Sequence, residues 1–125
     1  MSKKILVIDD EPAIVKVVKS RLEANKYQVI SASDGEEGLT KIVSEKPDLV
    51  ILDLMMPKMD GYNMLINIKE MSETIGIQDV PVIVLTARGE QKIKDMVEHE
   101  KIADYMVKPF KGEELVAKVK KILGE

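Results

Sequence analysis

Five residues of this chain have side chains suited to binding a metal ion or a phosphate group. They are Asp9, Asp10, Asp53, Thr86 and Lys108. Each lies at or just beyond the end of a short apolar segment. Taken singly, each has an ordinary role, such as capping a helix for an aspartate or facing solvent for a lysine. Their chemical importance therefore depends on whether the fold brings them together.

Three carboxylates, a hydroxyl and an ammonium gathered at one point would bind a cation and an anion side by side. Carboxylates that lie close together repel one another and tend to hold protons. A hard divalent cation removes this repulsion, and Mg²⁺ prefers carboxylate oxygens and water as ligands. An aspartate can accept a phosphoryl group covalently, and such transfer depends on positioning and on charge neutralisation. A metal site without chemistry is the alternative, although it would need neither the lysine nor the threonine.

The chain alternates short apolar runs with segments of helical periodicity, and these predict the elements that position the five side chains. Runs rich in β-branched residues predict strands covered on both faces. These runs are 5–8, 27–32, 49–52, 82–85 and 105–107. The helical segments are marked by apolar stripes. These are Ile14, Val17, Val18 and Leu22; Leu39, Ile42 and Val43; Met64, Leu65, Ile68 and Met71; Ile93, Met96 and Val97; and Leu115, Val119, Ile122 and Leu123.

Five strands alternating with five helices predict right-handed βαβ units around a parallel sheet. We therefore expect an α/β fold, a doubly wound (βα)5 three-layer sandwich, with one domain over residues 1–125. In open sheets of this kind, functional groups gather beyond the carboxyl ends of the strands. The five candidate residues all follow or end predicted strands, so the fold should bring them to one edge of the sheet.

Composition narrows the classes of protein that fit. The chain has 125 residues, of which 45% are hydrophobic and 33% charged, and this is typical of one globular domain. It has no cysteine, which excludes disulfides, thiolate zinc sites and cysteine nucleophiles. The net charge of −3 gives no global basic field for nucleic acid. We expect a cytoplasmic protein without a membrane segment, because the apolar run at 5–8 is too short for a signal peptide.

Four motifs in order resemble the receiver domains of bacterial two-component response regulators. The motifs are ILVIDDEP (5–12), DLVILDLMMPKMDG (48–61), PVIVLTA (81–87) and DYMVKPF (104–110). The resemblance covers essentially the whole chain. It implies a flavodoxin-like sheet with the strand order 2-1-3-4-5, the order that chemotaxis regulators share.

The resemblance also implies roles for individual residues. Asp53 would accept a phosphoryl group from a sensor histidine kinase or a phosphotransfer protein. Asp10 would bind Mg²⁺ directly, Asp9 would act mainly through bound water, and the backbone carbonyl of Met55 would complete the protein ligands. The expected product is an aspartyl phosphate, which makes the chain a phosphoprotein of a phosphorelay.

Three further residues would couple the phosphoryl group to the surface of the domain. Lys108 would contact the phosphoryl oxygens, and the Lys108–Pro109 peptide bond would be cis. Thr86 would form a hydrogen bond to the phosphoryl group and move towards it. Tyr105 would be the switch aromatic that turns inward when the threonine moves. The readout surface would comprise the fourth helix, the fifth strand and the last helix.

The resemblance implies a regulatory acceptor that assists its own phosphorylation and dephosphorylation, and it does not imply a turnover enzyme. A phosphohydrolase with an aspartate nucleophile would require a second carboxylate at the position of Met55. A mononucleotide-binding protein would require a glycine-rich loop in place of "DDEP". The output partner would be another protein or a fused effector. The alternative is a receiver domain excised from a longer DNA-binding transcriptional regulator. We expect a monomer, with dimerisation on phosphorylation as the alternative.

Overall fold

The structure is a computed structural model that describes residues 3–54, 56, 61–74, 79–87, 91, 94–95 and 102–125. The described residues form a five-stranded sheet in the order β2-β1-β3-β4-β5, with every neighbouring pair parallel. Its strands are β1 (Lys4–Ile8), β2 (Gln28–Ala32), β3 (Leu49–Asp53), β4 (Val82–Thr86) and β5 (Asp104–Val107). The predicted fold class and strand order are confirmed.

Four helices with full bounds lie in the described part of the chain. They are α1 (Pro12–Ala24), α2 (Gly35–Glu45), α3 (Gly61–Thr74) and α4 (Gly112–Leu123), the last matching the final predicted stripe. Gln91, Lys94 and Asp95 are also helical. The stripe of the predicted fourth helix, Ile93, Met96 and Val97, lies outside the described residues. No described helix is long and apolar enough to cross a membrane.

Local sequence explains where several helices begin and end. Pro12 occupies the start of α1, where its missing N–H costs nothing and its fixed φ suits the helix. Asp34 caps α2, because its carboxylate accepts a hydrogen bond of 2.8 Å from the backbone N–H of Glu37. Gly124 follows α4 with a φ of 74°, a left-handed conformation that favours glycine at a helix end.

The core consists of two apolar layers, one on each face of the sheet. Alternate residues of the buried strand β1 serve the two layers, Ile5 and Val7 on one face and Leu6 and Ile8 on the other. The Ile5 layer packs against α1 and α4, and the Leu6 layer packs against α2 and α3. The result is a three-layer sandwich whose central strands are held rigidly from both faces.

Two residues of the predicted stripes lie on the wrong side of their helices. Val17 is 48% exposed and Val43 is 42% exposed. In α1 the buried arc is centred on Val18 and Leu22, and Val15 rather than Val17 lies at its edge. Since successive helical residues are about 100° apart, Val17 falls well outside this arc.

In α2 the residues that face the sheet include two glycines, Gly35 and Gly38, together with Ile42. Glycine has no apolar side chain, so the pattern of apolar residues does not reveal that Gly35 and Gly38 belong to the buried face. The predicted stripe of α2 was therefore placed too close to Val43.

Candidate metal and anion site at the carboxyl edge of the sheet

The carboxyl edge of the sheet brings the five candidate residues together. Asp9 and Asp10 directly follow β1, and Asp53 is the last residue of β3, the strand beside β1. Thr86 ends β4 on the other side of β3, and Lys108 directly follows β5 at the edge. Four parallel strands thus end at one place, as the strand-end rule predicts.

The three aspartates form a compact acidic cluster. Carboxylate oxygens of Asp9, Asp10 and Asp53 all lie within 4.8 Å of one another. Asp53 is fully buried and Asp9 is 2% exposed, whereas Asp10 is open to solvent. One oxygen of Asp9, Oδ1, accepts a hydrogen bond of 2.9 Å from the backbone N–H of Glu11. The other, Oδ2, is buried and accepts no hydrogen bond from the described residues.

This arrangement fits a hard divalent cation. Each aspartate offers an oxygen within the span of one coordination sphere, and oxygen ligands are those that Mg²⁺ prefers. A buried carboxylate oxygen without a hydrogen bond is costly, and Asp9 Oδ2 is such an atom, although the ammonium of Lys108 lies 3.5 Å away. The exposed Asp10 leaves the cluster accessible to an ion and to its waters.

Lys108 supplies the positive charge at this edge. Its Nζ lies 3.2 Å from Asp53 Oδ2, 3.5 Å from Asp9 Oδ2 and 3.6 Å from Glu11 Oε1. The lysine is anchored through its backbone N–H, which donates a hydrogen bond of 2.7 Å to the carbonyl oxygen of Thr86. The Lys108–Pro109 peptide bond is cis, which confirms the expectation from the resemblance.

Burial and charge shift the pKa values of two residues in the site. Burial is the largest effect on Asp9 and, with the negative charge of Asp53, raises its pKa to about 6, against the opposing effects of the Glu11 backbone N–H and Lys108. For Lys108, burial lowers the pKa, but the carboxylates of Asp53 and Asp9 outweigh it and raise the pKa overall. A single ammonium therefore leaves Asp9 short of compensation, and a bound cation would supply it.

Thr86 and Tyr105 occupy adjacent strands, as their expected coupling requires. Thr86 is buried at the end of β4, the strand beside β3, which carries Asp53. Tyr105 lies on the edge strand β5, paired with Val84 of β4, and its ring is half-buried against the apolar layer that holds α2 and α3. Movement of either side chain stays a prediction. Met55, the expected carbonyl ligand, lies outside the described residues.

Sequence reasoning missed Glu11, whose carboxylate also faces Lys108. The residue occupies the cap position of α1 but makes no side-chain hydrogen bond to the helix. A signal was present, because glutamate is not among the residues that favour this position. An acidic residue at an unsuitable cap position, next to two site aspartates, could have been added to the candidates.

Known proteins share both the sequence and the arrangement of this chain. A family model described as "Response regulator receiver domain" matches residues 5–120. The alkaline phosphatase synthesis transcriptional regulatory protein PhoP of Bacillus subtilis (strain 168) is 44% identical over 123 residues, covering 98% of this chain and 49% of that protein. The DNA-binding dual master transcriptional regulator RpaA of Synechocystis is 40% identical over 120 residues, covering 96% and 48%. The chain thus spans about half the length of these curated relatives.

Solved structures share the same fold over nearly their whole length. A putative response regulator from Chloroflexus aurantiacus J-10-fl has a TM-score of 0.84 at 31% identity, with complete coverage of both chains. The chemotaxis protein CheY4 of Vibrio cholerae also has a TM-score of 0.84, at 27% identity, with 98% of this chain and 99% of that chain covered. The prediction of one domain over residues 1–125 stays a prediction.

Proposed function

Because the chain belongs to the response regulator receiver domain family, we propose that it is a two-component signalling switch controlled by phosphorylation of Asp53. One observation carries the proposal. The oxygens of Asp9, Asp10 and Asp53 lie within 4.8 Å of one another, with the ammonium of Lys108 3.2 Å from Asp53. A nucleophilic carboxylate, a cluster suited to a cation and a lysine suited to an anion are the groups that phosphoryl transfer needs.

Asp53 is the nucleophile in the proposed reaction. One of its carboxylate oxygens attacks the phosphorus of a phosphohistidine on a sensor kinase or a phosphotransfer protein. The new O–P bond forms as the P–N bond breaks, and the electron pair returns to the imidazole nitrogen. The product is an acyl phosphate on Asp53. Its position at the end of a central strand supports this role, because the strand holds the carboxylate in a fixed place.

The other residues of the site orient and neutralise the phosphoryl group. Lys108 faces its oxygens, and the hydroxyl of Thr86 forms a hydrogen bond to it. We assign Asp10 as a direct ligand of Mg²⁺, Asp9 as a ligand mainly through water and the carbonyl of Met55 as the remaining protein ligand. Mg²⁺, when bound, neutralises the charge on the phosphoryl oxygens.

The signal leaves the site through the packing of Thr86 and Tyr105. Attraction of Thr86 to the phosphoryl group vacates space into which the half-buried ring of Tyr105 turns. The surface formed by β5, α4 and the segment between β4 and β5 then changes its affinity for an output partner. The domain is a regulatory acceptor of the cytoplasm. The length and the names of the relatives support a DNA-binding effector as that partner in a longer protein.

Intact-mass measurement tests the chemistry directly. The protein is incubated with a small phosphodonor and Mg²⁺, and we expect one added phosphoryl group that is stable in acid and lost in base. Asp53→Asn should give no adduct. Asp95→Asn, a control at an exposed position outside the site, should give as much adduct as the wild type. Absence of an adduct on the wild type, or an equal adduct on Asp53→Asn, would contradict the proposal.

A further inference from the structure

Glu11 places a third carboxylate near Lys108, in addition to those of Asp9 and Asp53. Its Oε1 lies 3.6 Å from Lys108 Nζ, compared with 3.2 Å for Asp53 Oδ2. The Glu11 side chain is 58% exposed, whereas that of Lys108 is only 16% exposed. The lysine therefore lies between a buried carboxylate at the end of β3 and a solvent-facing carboxylate at the start of α1.

Neither capping of α1 nor membership of the acidic cluster accounts for the Glu11 side chain. It makes no capping hydrogen bond to α1, although the residue occupies the cap position. It is also separate from the three carboxylates whose oxygens lie within 4.8 Å of one another. Its backbone N–H holds Asp9 Oδ1 at 2.9 Å, and this contact does not depend on the side chain. The carboxylate is thus free to act on Lys108 without being needed for the helix or for Asp9.

We infer that Glu11 is a positioning residue that holds Lys108 before phosphorylation, and that Lys108 exchanges Glu11 for the phosphoryl oxygens when Asp53 is phosphorylated. The inference rests on the proposed function and deepens it. The incoming phosphoryl group is anionic, so it attracts the ammonium and repels the Glu11 carboxylate. Because Glu11 is more than half exposed, it can swing into solvent at little cost once the lysine has left it.

The same geometry predicts the direction of the effect. In the resting protein, Glu11 competes with the phosphodonor for Lys108 and adds negative charge where an anionic donor must approach. Removal of this charge should therefore speed phosphorylation of Asp53. The expected gain is about two- to fivefold, which is the factor that a partly exposed ion pair is worth.

Three variants separate this role from a structural one, with a small anionic phosphodonor and Mg²⁺ as the probe. Glu11→Gln should be phosphorylated about two- to fivefold faster than the wild type. Glu11→Asp keeps the charge but is one methylene shorter, so it should lose the contact with Lys108 and be faster than the wild type but slower than Glu11→Gln. Glu23→Gln, an exposed control near the opposite end of α1, should match the wild type. The Mg²⁺ dissociation constant of each variant is measured by calorimetry and should change less than the phosphorylation rate.

Three results of these measurements would contradict the exchange of Lys108 between Glu11 and the phosphoryl group. A Glu11→Gln rate that equals or falls below that of the wild type would overturn the exchange, as would a Glu11→Asp rate equal to that of the wild type. A change in rate fully accounted for by a change in Mg²⁺ affinity would also overturn it. Failure of the proposed function itself is distinguishable, because the wild type would then form no adduct at Asp53 under the same conditions.

Discussion

At the residue scale, Asp9 shows how the site lowers the folding stability of the protein when no cation is bound. Its pKa rises from an ordinary 3.8 to about 6, chiefly because the carboxylate is buried. The folded state therefore binds this proton more tightly than the unfolded chain does, and the stability that results in the metal-free protein is fully present below pH 4. That stability is lost as the pH rises through 6, and above that pH the folded state holds an ionised carboxylate that would be better solvated in the unfolded chain.

Asp9→Asn should therefore stabilise the metal-free protein at pH 8, because it removes the poorly solvated charge. A rise of the pKa from 3.8 to about 6 corresponds to roughly 3 kcal/mol, and we expect a gain of about 1 to 3 kcal/mol in the free energy of unfolding. The gain should disappear near pH 4, where the wild-type carboxyl is protonated. Urea denaturation in the presence of a chelator measures both values. Equal gains at pH 8 and pH 4 would show that the stabilisation has another origin.

Lys108 should matter for the chemistry and not for metal binding. Its Nζ lies within 3.5 Å of two carboxylates of the cluster, where it repels a bound cation but attracts a phosphoryl oxygen. Lys108→Ala should slow phosphorylation by a small phosphodonor roughly 10²-fold, the typical effect of losing one group that stabilises developing charge.

The matched measurement for this variant is its Mg²⁺ affinity, obtained by calorimetry. We expect it to be equal to that of the wild type or tighter, because a competing positive charge is gone. Lys120→Ala, an exposed lysine of α4, should change neither quantity. A Lys108→Ala protein that fails to bind Mg²⁺, or that is phosphorylated at the wild-type rate, would contradict the assigned role.

How far the site could be predicted from sequence differs among its residues. Asp9, Asp53 and Thr86 follow from the strand-end rule, because each is a polar residue that ends a β-branched run. Lys108 follows from the same rule, although its distance to Asp53 required the sheet order. Glu11 did not follow, because its contact depends on where a long side chain of α1 meets a residue almost a hundred positions later.

At the element scale, the close approach of α2 to β1 depends on Gly38. A Cβ atom at this position would lie 2.6 Å from Ile8 Cδ1 and 3.2 Å from Met64 Cε. Gly38→Ala should therefore displace the buried side chains of Ile8 and Met64 despite the higher helix propensity of alanine. We expect a loss of about 1 to 3 kcal/mol in the free energy of unfolding, the usual cost of overpacking a core, measured by urea denaturation.

A second substitution identifies the clash as the cause. Ile8→Val removes Cδ1, the atom nearest to the added methyl group. The double variant should be more stable than the sum of the two single effects predicts, because the two residues are in direct contact. Additive losses would mean that the contact of the added methyl group with Ile8 Cδ1 is not the source of the instability.

Hydrophobic periodicity predicts the bounds of the strands well and the buried faces of the helices less well. Strand bounds agree with the prediction to within a residue or so, because a short continuous apolar run between helical segments is typical of a strand buried on both faces. Helix faces are less certain, because an apolar arc has two edges and the sequence does not say which edge faces the sheet. Val17 was assigned to the core for this reason, whereas Val43 was assigned to it because glycines form part of the buried face of α2, and both valines are exposed.

At the scale of the whole molecule, the acidic cluster links metal binding to global stability. The three aspartates come from the ends of two central strands, so the cluster exists only when the sheet is formed. A cation that binds the folded state and not the unfolded chain stabilises the protein in proportion to its occupancy. The gain is about 2.7 kcal/mol when the free ion is at 100 times its dissociation constant.

The size of this stabilisation should depend on pH in a direction that Asp9 sets. Near pH 5, below its pKa of about 6, the buried carboxyl holds a proton that competes with the cation, whereas at pH 8 the carboxylate is ionised and poorly compensated. Mg²⁺ should therefore raise the Tm more at pH 8 than at pH 5, as measured by thermal denaturation. The baseline at each pH is an equal ionic strength of sodium chloride.

Asp10→Asn provides the variant that separates site binding from general ion effects. Asp10 is the exposed member of the cluster, so its replacement by asparagine removes one negative charge from the site with little disturbance of the core. The Mg²⁺-dependent rise in Tm should shrink at pH 8, while Asp95→Asn, at an exposed position outside the cluster, should keep the full rise. Equal rises for the wild type at pH 5 and pH 8 would show that the cation does not compete with a proton on Asp9, and would remove that residue from the metal site.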